Sequence, residues 1–76
     1  MNASEVISRI RVGMTREEVV AVLGQPDDTG GTSRRYKSPS ILKYGVIELH
    51  FTPFKDGRLV RAYFEDENGD GHTLLQ

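Results

Sequence analysis

No cysteine occurs in the 76 residues. Disulfides, thiolate metal sites and cysteine nucleophiles are thereby excluded. Small secreted domains usually lean on disulfides, so this composition favours a reducing compartment, with the cytoplasm as the expected location. No apolar run approaches the ~18 residues of a membrane span, and no membrane association is expected. The opening Met1-Asn2-Ala3-Ser4-Glu5-Val6 lacks the basic region and apolar core of a signal peptide. An excess of one charge is missing too: ten basic against eleven acidic side chains leave a net charge of −1. That balance argues against general attraction to nucleic acid. No internal repeat and no low-complexity segment interrupts the chain, and 1–76 reads as one domain. A domain this short hides a modest fraction of its surface, so its stability is marginal and a partner chain would help.

The charge is unevenly placed. Residues 1–28 carry three basic and five acidic groups, and residues 56–76 carry two and five. Between them, Arg34, Arg35, Lys37, Lys43 and Lys55 stand against Glu48 alone, a local net of +4.

Two helices are written near the N-terminus. Thr15 and Glu18 have capping-box spacing, with Met14 and Val19 as the matching staple and Glu17 and Glu18 where the helix dipole favours negative charge. Gly24 and Pro26 stop this helix, which the pattern places at 16–23. A weaker helix precedes it. Asn2 and Glu5 repeat the capping spacing, Val6, Ile7 and Ile10 form one stripe, and Gly13 breaks it. Helices of about two turns cannot stand alone, so the remainder must supply the surface they cover.

Residues 27–39 are polar and glycine-containing, a long loop with a short edge strand expected around Arg34–Lys37. The pattern then alternates. Ile41–Tyr44 reads as a strand, and in the next one Ile47, Leu49 and Phe51 face inward. Asp56-Gly57 signals a hairpin turn, and 59–64 returns with Val60, Ala62 and Phe64 as the preferred inward set because it carries no charge. The core is expected over 3–65, with 66–76 a flexible acidic tail. The fold class is therefore α+β: two short N-terminal helices packed on a three-stranded antiparallel sheet, an ααβββ two-layer sandwich.

Ile10-Arg11-Val12-Gly13-Met14-Thr15-Arg16-Glu17-Glu18-Val19, running to Leu23-Gly24-Gln25-Pro26, resembles the opening signature of the SmpA/OmlA (BamE-like) family. Tyr44-Gly45-Val46-Ile47-Glu48-Leu49-His50-Phe51 and Asp56-Gly57-Arg58-Leu59 resemble its sheet, so the likeness spans residues 6–64. It implies two packed helices on a three-stranded sheet, a layout also seen in the repeats of β-lactamase-inhibitor protein. It further implies a domain that binds other proteins and lacks catalysis, here in a soluble form without a signal peptide or a lipid-carrying cysteine.

Candidate chemistry is sparse. His50 falls on the strand face opposite the core set and His72 in the tail, with no acidic residue at metal-helix spacing, so no metal is expected. Asp66-Glu67-Asn68-Gly69-Asp70-Gly71 matches the first half of a calcium loop, but the bidentate glutamate of position 12 is missing, and a solvated acidic turn is the reading adopted. Gly30, Gly31, Thr32, Ser33 and Arg34 suit an anion cradle, the alternative reading as a small-ligand or phosphate-binding domain over Gly30–Arg35. Thr32 or Ser33 as a nucleophile would need His50 as base. No cofactor is called for, and no enzyme is expected.

The basic, aromatic-flanked stretch Arg34, Arg35, Tyr36 and Lys37, with Lys43 and Tyr44 after it, is the expected contact surface, since arginine and tyrosine are enriched at protein interfaces. An acidic protein surface or a nucleic-acid backbone would suit such a cluster, nucleic acid being the less favoured at this net charge. The leading expectation is a non-enzymatic protein-interaction module of inhibitor or immunity type. A homo-oligomer pairing through an edge strand is a third class.

Overall fold

The computed structural model describes residues 3–32, 34–65 and 68–75. Two helices, α1 (Ala3–Arg9) and α2 (Arg16–Leu23), precede five strands: β1 (Asp28–Gly30), β2 (Ile41–Tyr44), β3 (Ile47–Phe51), β4 (Leu59–Glu65) and β5 (Gly71–Leu75). The strands form one antiparallel meander in chain order.

The α+β class holds, but the sheet has five strands where three were expected. β1 carries no alternation to read. It is recruited by backbone pairing, with Asp27 N–H donating to Lys43 O at 2.8 Å and Ser40 N–H to Gly30 O at 3.1 Å. The edge strand expected around Arg34–Lys37 is a turn instead, and β1 takes that edge. Residues 71–75, expected within a flexible tail, pair with β4 as the opposite edge.

α2 occupies the span its caps dictate. Glu18 N–H donates to Thr15 Oγ1 at 3.2 Å, and Thr15 N–H donates to Glu18 Oε1 at 3.1 Å, two donors satisfied reciprocally. Gly24 follows at φ +84° and ψ −171°, a conformation open to glycine though not the left-handed helical one, and its N–H closes on Val20 O. After α1, the chain 10–14 is stitched to β4: Gly13 N–H donates to Leu59 O, and Leu59 N–H to Met14 O, both at 2.7 Å.

Ile47, Leu49 and Phe51 are buried on the helix-covered face, as their alternation requires. In β4 two of the three residues expected inward are so. Ala62 is buried and Phe64 packs against the core, but Val60 is exposed and Leu59 is fully buried. The register explains it. His50 pairs with Arg61 and Phe51 with Leu59, so Val60 is the extra residue of a β-bulge. A bulge reverses the phase of alternation, and neither unbroken pattern can describe the strand. The core joins Val6, Ile10, Val19 and Leu23 to Leu42, Tyr44, Ile47, Leu49, Phe51, Leu59 and Ala62. The helices cover only this face.

Candidate functional site

The first residue of α2 organises one end of the domain. Because Thr15 is the cap, the Arg16 side chain leaves the helix start towards the β3–β4 loop. Its Nη1 donates to Phe54 O and its Nη2 to Thr52 O, each at 3.1 Å, and its Nε donates to Pro39 O. The guanidinium lies 5.5 Å from the Phe51 ring centroid. Every hydrogen-bond acceptor is a carbonyl, and burial holds the group below its ordinary pKa. One planar donor fork thus ties α2 to two separate loops, a task to which a lysine point charge is unsuited.

Gly57 makes room for this clamp. A Cβ there would meet Thr52 O and lie 2.7 Å from both terminal nitrogens of Arg16. Asp56-Gly57 was expected as a turn signal. The turn exists, with Gly57 N–H donating to Phe54 O at 3.0 Å, but the clamp is the stronger reason for glycine.

The second loop runs from β1 to β2. Gly31 turns the chain at φ +64°, Ser40 Oγ donates to Gly31 O at 3.1 Å, and Ser40 O accepts from Phe51 N–H at 2.7 Å. Residues 34–36 form a turn, and Lys37 follows with φ 55°, a left-handed conformation that costs a non-glycine residue on the order of 1–2 kcal/mol. The Tyr36 ring meets the Phe54 ring edge-on, centroids 6.0 Å apart and planes at 79°. The Arg35 guanidinium lies over the Tyr36 ring, 5.4 Å from its centroid. Phe54 remains 52% exposed, and Arg34, Arg35, Lys37 and Lys55 are exposed as well. The two loops therefore present one surface: an aromatic pair with exposed basic residues beside it in the chain. A shallow depression of about 570 Å³ adjoins it, walled by Thr15, Arg16, Glu17 and Ser38 on one side and Lys55, Asp56 and Gly57 on the other.

The expected contact residues divide. Arg34, Arg35, Tyr36 and Lys37 lie on this surface. Tyr44 does not: it points into the core, 8% exposed, its hydroxyl donating to Gly24 O at 2.8 Å. Burial, and secondarily the charge of Asp27, raise its pKa. Lys43 lies on the open sheet face, 3.6 Å from Glu48 Oε1 and opposite Asp28 in the register. A strand places consecutive side chains on opposite faces, so Lys43 and Tyr44 could never share a surface.

The anion-cradle candidates are not assembled as one. Gly30 is a sheet residue, Gly31 presents its carbonyl to Ser40, Thr32 is exposed, and Ser33 lies outside the described residues. His50 has both ring nitrogens engaged. Nε2 is 3.2 Å from Glu48 Oε2, and Nδ1 is 3.2 Å from Arg61 Nη2. With Lys43 and the Tyr63 ring, these groups form a self-compensated network on the open face. His72, on β5, stacks on Phe64 with centroids 5.1 Å apart. Of the calcium-loop match, Asp66 and Glu67 lie outside the described residues, and Gly71 opens β5. Among the described residues no cluster of three metal-ligating side chains occurs, and no helix is long and apolar enough to cross a membrane.

Neither Arg16 nor Phe54 was among the expected contact residues, and Lys55 was counted only in the basic middle segment. Phe54 carried a signal all the same: a large aromatic in the turn-forming run Thr52-Pro53-Phe54-Lys55-Asp56-Gly57 has no core periodicity to explain it. No family model, no curated protein and no solved structure matches the chain.

Proposed function

We propose that this chain is a non-enzymatic protein-interaction module, of the inhibitor or immunity type, whose contact surface is the end built from residues 34–37 and 53–57. The observation that carries this reading is the half-exposed Phe54 ring, paired edge-on with Tyr36, with exposed basic residues beside the pair in the chain. Aromatic and arginine side chains are the residue types that most often dominate binding energy at protein interfaces. Both loops are also fixed before any partner arrives, because Arg16 bonds to each, and a preformed surface loses less conformational entropy on docking. A catalytic reading has less support, since His50, the base a Thr32 or Ser33 nucleophile would require, is held between Glu48 and Arg61. The likeness of residues 6–64 to SmpA/OmlA domains is an analogy in the same direction.

The test is photocrosslinking in the native cell. Benzoylphenylalanine at position 54 is expected to give an adduct with one polypeptide, absent when the same group replaces the exposed Val22 on α2. Adduct formation should be lost when Arg34→Glu and Lys37→Glu are added. No adduct at position 54, or equal yields at 54 and 22, would contradict the proposal.

A further inference from the structure

We infer that the partner engages this surface with an acidic segment that carries an apolar side chain among its carboxylates. The inference rests on the interaction reading above and specifies the chemistry of the partner. Arg34, Lys37 and Lys55 make no ion pair among the described residues. Lys37 and Lys55 are chain neighbours of the two rings that touch, so the 6.0 Å Tyr36–Phe54 contact fixes both loops' cations at one end. On the open sheet face, by contrast, Lys43 has Glu48, and the Arg61 guanidinium lies against His50 and the Tyr63 ring. At this end Arg34, Lys37 and Lys55 are like charges gathered by the ring contact with no ion pair among the described residues, a repulsion that a carboxylate-bearing partner relieves and a basic one increases. Phe54 adds the second requirement. Its exposed ring gains from an apolar side chain laid against it, and Arg16 holds its backbone in place.

Nucleic acid fits less well. Four exposed cations would give a shallower salt dependence and weaker attachment than the roughly six to ten phosphate contacts of typical binders. The adjoining depression also carries Glu17 and Asp56, which repel a phosphate chain continuing past the rings.

The experiment is a set of NMR titrations of the isotope-labelled full chain with three probes: a capped glutamate-rich peptide with a central phenylalanine, its glutamine counterpart, and oligothymidine. The glutamate peptide is expected to shift the amides of 34–37 and 54–57, with affinity falling as salt rises. The glutamine peptide should bind about tenfold more weakly, the effect of three exposed pairs. Arg34→Glu, Lys37→Glu and Lys55→Glu together should weaken the glutamate peptide by about the same factor while core amide shifts stay in place. Equal binding of both peptides at these residues would overturn the acidic preference and leave the contact surface standing. Stronger shifts with oligothymidine would overturn the inference in favour of a nucleic-acid partner. Absence of shifts with either peptide would overturn it as well, and the adduct at position 54 then decides whether the contact surface falls with it.

Discussion

Replacing Arg16 by methionine keeps an unbranched stem and a good helix former but deletes the guanidinium. The carbonyls of Pro39, Thr52 and Phe54 then lose their donor. The bonds to Pro39 and Thr52 are partly buried and the one to Phe54 is exposed. At about 1 kcal/mol for each of the first two and roughly half that for the third, the loss is ~2–3 kcal/mol. The contact with the Phe51 ring largely cancels, since methionine also packs well against aromatic rings. A domain of 76 residues holds about 4–11 kcal/mol in all. The variant should therefore melt roughly 10–20 °C lower. Urea denaturation followed by circular dichroism measures the change. Hydrogen exchange locates it: the amides of Ser40, Thr52 and Gly57 should lose protection before the β2–β3 ladder does. A stability change within about 0.5 kcal/mol, the range of an ordinary surface substitution, would refute the clamp. So would a loss of protection spread evenly over the sheet.

Gly57→Ala forces a Cβ against Thr52 O and the Arg16 guanidinium and should cost ~1–3 kcal/mol in the same denaturation assay, and less in the Arg16→Met background, where half of the obstruction is gone. Thr15→Ala removes the α2 cap and should cost about 1 kcal/mol. It should also make the acid limb of stability shallower, but only in part: hydrogen bonds from Thr15, backbone first and hydroxyl second, lower the Glu18 pKa, alanine keeps the backbone donor, and the contribution, present above the ordinary carboxyl range, disappears as pH falls through the lowered value. Tyr44→Phe loses the bond to Gly24 O, worth about 1 kcal/mol, in thermal melts near neutral pH. The Tyr44 pKa is raised in the fold, so its contribution is whole below the ordinary tyrosine value of ~10 and is lost as pH rises through the raised one. Alkaline melts should show that loss in the parent chain and not in Tyr44→Phe.

Where a local rule decides the outcome, the sequence was readable. The Thr15–Glu18 box and Gly24 bound α2 at both ends, and the alternation of Ile47, Leu49 and Phe51 assigned the buried face of β3. Where a long-range contact decides, it was not. β1 exists because β2 offers it backbone partners, and β5 because β4 does, and neither carries an alternating pattern of its own. The Val60 bulge arises from register between two strands, which composition does not encode. The site divides along the same line. The charge excess of the middle third pointed to one exposed stretch, and Arg34–Lys37 are together in it, but adjacency in sequence does not bring Lys43 and Tyr44 to the same place, since one is on the open face and the other in the core. Phe54, far along the chain, meets Tyr36 through the ring contact and is tied down by Arg16, whose role is visible only once three carbonyls converge on it.

The decisive measurement is an amide chemical-shift map of the labelled chain against the purified polypeptide identified by the position-54 adduct. Shifts confined to residues 34–37 and 53–57 are predicted, with Lys43, Glu48, His50 and Arg61 unmoved. Shifts centred on those four residues of the open sheet face, with the two loops silent, would contradict the account.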